Sequence, residues 1–230
     1  MARELARRSL PSGRTARVVM SETTDGDVAD GAAIGVSEDF LAGYPITVSS
    51  ATRLCQVHGA DVVRVDAPGA KTGSVADAAV TDVLGASLVV QVADCVPLAF
   101  LGDHSVGLAH AGWRGLRAGV LERTIEALTV MDGTAPVSAV IGPHIGPCCY
   151  EFGDDDLADL VARFGSSVRS RTISGRSALD LTAVVTSVLE RAEVPVAFDE
   201  ACTSCDDRYW SFRATSTPKR QAMVAWLEEA

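Results

Sequence analysis

The feature that most limits how this chain can fold is a series of short apolar runs that do not alternate with polar residues. "SLVVQVADC" (87–95), "VPLAFLG" (96–102) and "SVGLAHAG" (105–112) follow one another closely, after the shorter "RLCQVHG", "DVVRVD" and "AAVTD". Pro68-Gly69, Lys71-Thr72-Gly73 and Gly102-Asp103 supply turns between them. A strand that is apolar at every position must be covered on both faces. Longer amphipathic segments provide the cover. "RGLRAGVLERTIEALTVM" reads as one helix, with Leu116, Val120, Leu121, Ile125 and Leu128 on a stripe and Gly133 beyond its end. "DDDLADLVARF" carries acids in its first turn, where the helix dipole favours them, and "LDLTAVVTSVLERAEV" keeps Leu181, Val184, Val188 and Leu189 in register. "VSAVIG" reads as a strand, and "DRYWSFRA" and "RQAMVAWLEE" as closing strands. The pattern predicts an α+β domain with a central sheet covered by helices.

The chain has 230 residues, 47% of them apolar, enough for a sizeable core. Its formal charge is −10, with no basic stripe, which argues against a nucleic-acid partner. Residues 1–17 are basic and lack an apolar core segment, so they read as a loosely ordered tail rather than a secretory signal, with the domain running over 18–230. No apolar run approaches membrane-spanning length. Residues 21–36 are acidic and Gly/Ala-rich and read as loop. Six cysteines without an export signal point to a reduced, cytoplasmic protein.

Three ionisable groups interrupt the apolar pattern. Asp94-Cys95 sits within "VADCVPLAF", and His110 within "GLAHAGWRG". His58, Cys95 and His110 each lie near the C-terminal end of an expected strand. Two imidazoles and a thiolate suit zinc, and three protein ligands leave a fourth position free for chemistry; copper would also accept the set. The spacing alone equally allows two hydrogen-bonded core histidines and an ordinary buried cysteine.

Six words taken together go further. "QVHGADVV" (56–63), "ADAAVTD" (76–82), "VADCVPLAF" (92–100), "GLAHAGWRGLRAGVLE" (107–122), "IGPHIGPCCYEFG" (141–153) and "CTSCDDRYWSFR" (202–213) occur in this order. The set resembles the YfiH family, also called the laccase-domain or polyphenol-oxidase family. The resemblance implies a layered α/β/β/α domain, a metal (usually zinc) on His58, Cys95 and His110, and purine nucleoside phosphorylase activity with possible adenosine deaminase side activity. Purine nucleosides and phosphate would then be the small-molecule partners of a monomer or homodimer. The chain departs from the family near its N-terminus. "AIGVSEDFLAGYPITVSS" (33–50) lacks the family's SLNL and ENR words, so weakened nucleoside binding and poor order over 21–50 are expected.

Around the three ligands, Arg114 is placed to grip phosphate, or to form a helix-start salt bridge. Asp94, pointing away from Cys95 in an extended strand, is expected to orient a ligand or pair with an arginine. Gln56 reaches a base or ribose, or the sheet edge. Cys149 is a candidate substrate contact, and His144 is a candidate catalytic base or a surface histidine, with Glu151 a second possible proton shuttle. Cys148, Cys149, Cys202 and Cys205 read as packed turns near the pocket in preference to a second metal site. Tyr209, Trp210 and Phe212 read as core or pocket wall. Competing functions are a copper phenol oxidase, a cysteine hydrolase or deamidase with Cys95 as nucleophile and His110 as base, and a non-catalytic metal-binding relative. Four histidines are too few for a multicopper cluster.

Overall fold

The computed structural model describes residues 2–28, 41 and 43–229. Two sheets stack face to face. The first has five strands: β1 (Arg3–Ser9), β2 (Thr15–Met20), β3 (Ala51–Arg53), β6 (Ser87–Val92) and β13 (Gln221–Glu228), in the order β1-β2-β13-β6-β3. The second has six: β4 (Val62–Arg64), β5 (Ala78–Thr81), β7 (Val96–Leu101), β8 (Val106–Ala111), β9 (Ser138–Ile141) and β12 (Val196–Phe198), in the order β12-β9-β7-β8-β5-β4. A small hairpin of β10 (Arg169–Arg171) and β11 (Ser177–Leu179) stands apart. The helices are α1 (Trp113–Ala118), α2 (Val120–Asp132), α3 (Asp154–Phe164), α4 (Leu181–Arg191) and α5 (Phe212–Thr215).

The non-alternating runs are explained by where successive residues go. In β6, Leu88, Val90 and Val92 enter the core between the two sheets, while Val89 enters a second core on the outer face. In β7, Ala99 and Leu101 face the inter-sheet core, while Leu98 and Phe100 face α1 to α4. In β13, Met223, Ala225 and Leu227 point inward; Val224 and Trp226 point outward against Val28, Leu41 and Ile46. Each strand alternates between two apolar environments rather than between core and water. This is the layered α+β arrangement expected. Among the described residues, no helix is long and apolar enough to cross a membrane.

Three local readings change. Arg3–Ser9, placed by composition in a loose tail, pairs antiparallel with β2. Arg17 explains much of this: it lies 5.6 Å over Trp226 and 5.8 Å over Tyr44, and its guanidinium bridges Glu4 and Glu228. Arg17 of β2 thereby ties Glu4 of β1 to Glu228 and Trp226 of β13 within one sheet. The single helix expected over 114–131 is two, because Gly119 takes φ 92° and ends α1 before α2 begins. "DRYWSFRA" is not a strand. It leads into α5, whose first turn is capped by Ser211 accepting from the Ala214 N–H. Most of "AIGVSEDFLAGY", on which the expected pocket defect rests, lies outside the described residues.

Candidate metal centre

His58, Cys95 and His110 come together, with their ligand atoms all within 4.8 Å of one another. Cys95 precedes β7, His110 lies in β8, and His58 lies in the loop after β3. The Cys95 sulfur is 3.8 Å from His58 Nε2, and the two imidazoles meet edge to face at 4.8 Å.

What holds them is Asp77, just ahead of β5. Its carboxylate is fully buried and accepts the backbone N–H groups of Val57 (3.2 Å), His58 (2.9 Å) and Gly59 (2.7 Å). It also lies 2.8 Å from His110 Nδ1. A carboxylate can only accept, so Nδ1 donates to it and Nε2 is the nitrogen left for the centre. The three backbone donors hold the 57–59 turn, in which His58 has φ 59°. Asp77 therefore positions two ligands at once. Burial alone would raise its carboxyl; the bond to His110 and the Gly59 N–H outweigh that and hold it below the usual carboxylate range. Burial likewise works against a Cys95 thiolate, but His110 and His58 bring the thiol down to about 6. Burial disfavours a charged His110, but Cys95 and Asp77 raise it to about 9. Asp77 stands in the quoted word "ADAAVTD", yet sequence reasoning passed over it. The available signal was an acid entering an otherwise apolar strand, the same signal that singled out Asp94.

The donor set fits a zinc-like ion. It provides two imidazole nitrogens and a thiolate, and its second-layer carboxylate fixes the tautomer. Space is reserved as well. A Cβ on Gly112 would lie 2.8 Å from His58 Cδ2 and 3.1 Å from Cys95 Sγ.

The other candidates divide. Arg114 lies in the first turn of α1 at the rim, stacked 4.4 Å over Trp113, and forms no helix-start salt bridge among the described residues. Asp94 is not in an extended strand, since its φ is 97°. Its carboxylate accepts from Thr203 Oγ1 (2.8 Å) and from the backbone N–H of Arg213 (2.6 Å), tying the Cys202 turn and the start of α5 to the turn that carries Cys95. Gln56 takes the sheet-edge role, exchanging bonds of 2.8 Å with both backbone groups of Gln91. His144 does not join the centre. It is buried, with Nδ1 donating to the Gly142 carbonyl (2.9 Å) and Nε2 accepting from Thr182 Oγ1 (2.8 Å), and burial holds it below the usual imidazole range. Glu151 is exposed and paired with Arg176. Cys149 stands with the other cysteines, 3.2 Å from Cys205, rather than in the cavity.

A cavity of about 400 Å³ opens over the centre. His58, Asp94, Cys95 and Arg114 line it, and so do Trp113, Tyr150, Phe212, Arg213 and Arg220, most of which sequence reasoning did not assign. Its size suits a small ligand. Larger hollows of about 720 and 610 Å³ elsewhere are lined by no histidine or cysteine.

Fold and site together define a layered α+β protein whose His58, Cys95 and His110 form a group that could hold a metal ion beside a cavity. The chain belongs to the family described as multi-copper polyphenol oxidoreductase laccase, whose model matches residues 37–228. A purine nucleoside phosphorylase of Xylella fastidiosa (strain Temecula1) is 39% identical over 188 residues, covering 76% of this chain and 71% of that protein. The purine nucleoside phosphorylase YlmD of Geobacillus stearothermophilus is 36% identical over 195 residues, with the same two coverages, 76% and 71%. Among solved structures, a Neisseria meningitidis protein of the DUF152 family matches with a TM-score of 0.78 at 26% identity, covering 99% of both chains. YlmD from Geobacillus stearothermophilus matches with a TM-score of 0.76 at 28% identity, covering 95% and 94%. The ligand inventory does not suit several coppers. Of the four histidines, His144 is committed to Thr182 and Gly142, and His104 to Asp132 at 3.3 Å.

Proposed function

We propose that this protein is a zinc-dependent purine nucleoside phosphorylase, cleaving the N-glycosidic bond of inosine, guanosine or adenosine with phosphate. The observation that carries the reading is the cavity itself, whose lining combines His58 and Cys95 of the His58–Cys95–His110 group, aromatic walls and an arginine with no carboxylate partner among the described residues. The names of the curated relatives point the same way.

The roles follow from the geometry. Phosphate would supply the negative charge that Arg114 does not meet among the described residues, and a guanidinium fork can grip two of its oxygens. Arg213 adds charge at the same rim. Its Nη1 already donates to the Glu151 carbonyl (2.8 Å), and its guanidinium lies 4.9 Å from the Tyr150 ring, so it is held in place before an anion arrives. Trp113, Tyr150 and Phe212 offer flat apolar surface to a purine. Zinc, when bound, would supply Lewis acidity to a substrate oxygen. His58, Cys95 and His110 would hold it, and Asp77 would hold the His110 ring by Nδ1 so that Nε2 is the nitrogen offered to it. Adenosine deamination is the weaker part of the reading, because His144 and Glu151 both lie outside the cavity lining.

One observation favours a second reading. Asp77, His110 and Cys95 form a carboxylate–imidazole–thiol chain of the kind cysteine hydrolases use. Assay with inosine separates the two. Phosphorolysis requires phosphate and releases ribose 1-phosphate; Cys95→Ala should remove one zinc and cut kcat/KM about 1000-fold, as expected when several kcal/mol of Lewis-acid stabilisation are lost. Arg114→Ala should raise the KM for phosphate about tenfold at unchanged zinc content. Free ribose released equally fast without phosphate would replace this reading with the hydrolase.

A further inference from the structure

The four remaining grouped cysteines lie outside the proposed reaction. Cys148 and Cys149 sit in one turn, Cys202 and Cys205 in another, and the four sulfurs all fall within 4.8 Å of one another. We propose that Cys148, Cys149, Cys202 and Cys205 form a second metal site, a closed tetrathiolate site for one zinc-like divalent ion that staples these two turns together.

Three observations carry it. The first is spacing. A zinc ion with bonds of about 2.3 Å to four thiolates places the sulfurs about 3.8 Å apart along each tetrahedral edge. Cys148 is 3.6 Å from Cys202 and 3.8 Å from Cys205, and Cys149 is closer to Cys205, at 3.2 Å. An iron–sulfur cluster would hold its thiolates further apart, since several iron atoms stand between them. The second is the backbone. In the C-x-x-C turn, the N–H groups of Cys205 (2.9 Å) and Asp206 (3.0 Å) both donate to the Cys202 carbonyl. In the other turn, the N–H groups of Cys149 and Tyr150 donate to the Gly146 carbonyl, each at 3.1 Å. The Gly146 N–H itself reaches 3.1 Å to the Cys202 sulfur, a donor suited to a metal-bound thiolate. The third is space. A Cβ at Gly146 would lie 3.2 Å from Cys148 Sγ and 3.3 Å from Cys202 Cβ, so the cage closes tightly on a position that has no side chain.

The staple also reaches the cavity. Tyr150 follows Cys149 directly, and Thr203, next to Cys202, donates to Asp94.

The test counts metal in the full-length protein purified under reducing conditions with zinc. The wild type should carry about two zinc per chain, Cys95→Ala about one and Cys205→Ser about one. Zinc-edge absorption of Cys95→Ala should show a shell of sulfur alone at about 2.3 Å. Cys205→His, which keeps four donors, should retain the second ion. If Cys205→Ser does not fold, the Cys95→Ala protein still decides. No zinc in it, a nitrogen-containing shell, or a mass two hydrogens short that marks a Cys149–Cys205 disulfide would each overturn the proposal. The outcome is independent of the phosphorylase reading, because Cys95→Ala has already lost the first centre.

Discussion

The strand-end group around His110 and the turn group around Cys202 are built on opposite plans. His110 is fixed in β8, and a buried carboxylate, Asp77, accepts four N–H groups to aim two imidazoles at one point. Among the described residues the cysteine group has no such carboxylate; peptide hydrogen bonds within two turns converge its sulfurs. The first offers three donors and faces a cavity, and the second offers four and faces itself. Three donors leave a position for substrate, whereas four leave none. Asp94 links the two, since it precedes Cys95 and accepts from Thr203. On the proposed reading, chemistry sits where a sheet supplies rigidity, and the other group would brace the wall beside it.

The largest effect should come from breaking the carboxylate that distinguishes the first plan. In Asp77→Asn, one oxygen becomes an NH2 that faces backbone N–H donors or the His110 N–H. We expect zinc affinity at the strand-end group to fall about 10- to 100-fold. Stability should drop by about 3 kcal/mol, because charge-assisted bonds to a buried group are lost. Competition with a chromogenic chelator and thermal unfolding would measure the two. The cysteine group should keep its metal. An affinity at His58–Cys95–His110 equal to that of the wild type would show that β8 alone aims His110.

A sharper comparison uses two glycines. A Cβ on Gly112 intrudes to 2.8 Å on His58, and one on Gly146 to only 3.2 Å on Cys148. Gly112→Ala must displace a ligand ring and should weaken the strand-end metal about tenfold, as overpacking by about 1–2 kcal/mol does. Gly146→Ala should weaken the cysteine site by less, about twofold to fivefold, as sulfurs shift by tenths of an ångström. Chelator titration of each variant reads both. Losses in the reverse order would mean that the turns are stiffer than the strand ends.

Much of this was legible in the sequence for a definite reason. Runs such as "VPLAFL" record burial on both faces, which is why the sheets could be anticipated. His58, Cys95 and His110 were legible because metal-binding side chains stood out against apolar neighbours. Asp77 was not, although the same contrast marks it, because its role depends on three peptide N–H groups about twenty residues away in sequence. Neither was the φ of 97° at Asp94, which turns an expected strand residue into a tie between loops. Nor was the N-terminal hairpin, because β1 pairs only with β2, which in turn pairs with β13 at the far end of the chain. Composition reports burial well and reports partners distant in sequence poorly.

The smallest effect concerns what anchors the cysteine turns. His144 pairs its backbone with Cys202, its carbonyl accepting the Thr203 N–H at 3.0 Å, and its ring is pinned by Thr182 at the start of α4. Thr182→Val keeps the shape of the side chain but leaves His144 Nε2 with no donor. A buried acceptor without a partner costs about 1–2 kcal/mol, so the melting temperature should fall by a few degrees. Zinc at His58–Cys95–His110 and the KM for inosine should not change, because His144 lies outside the cavity lining. Calorimetry beside steady-state kinetics checks both halves. A fall in kcat with an unchanged melting temperature would give His144 back the role of a proton carrier, and would show that the turn region takes part in the chemistry rather than bracing it.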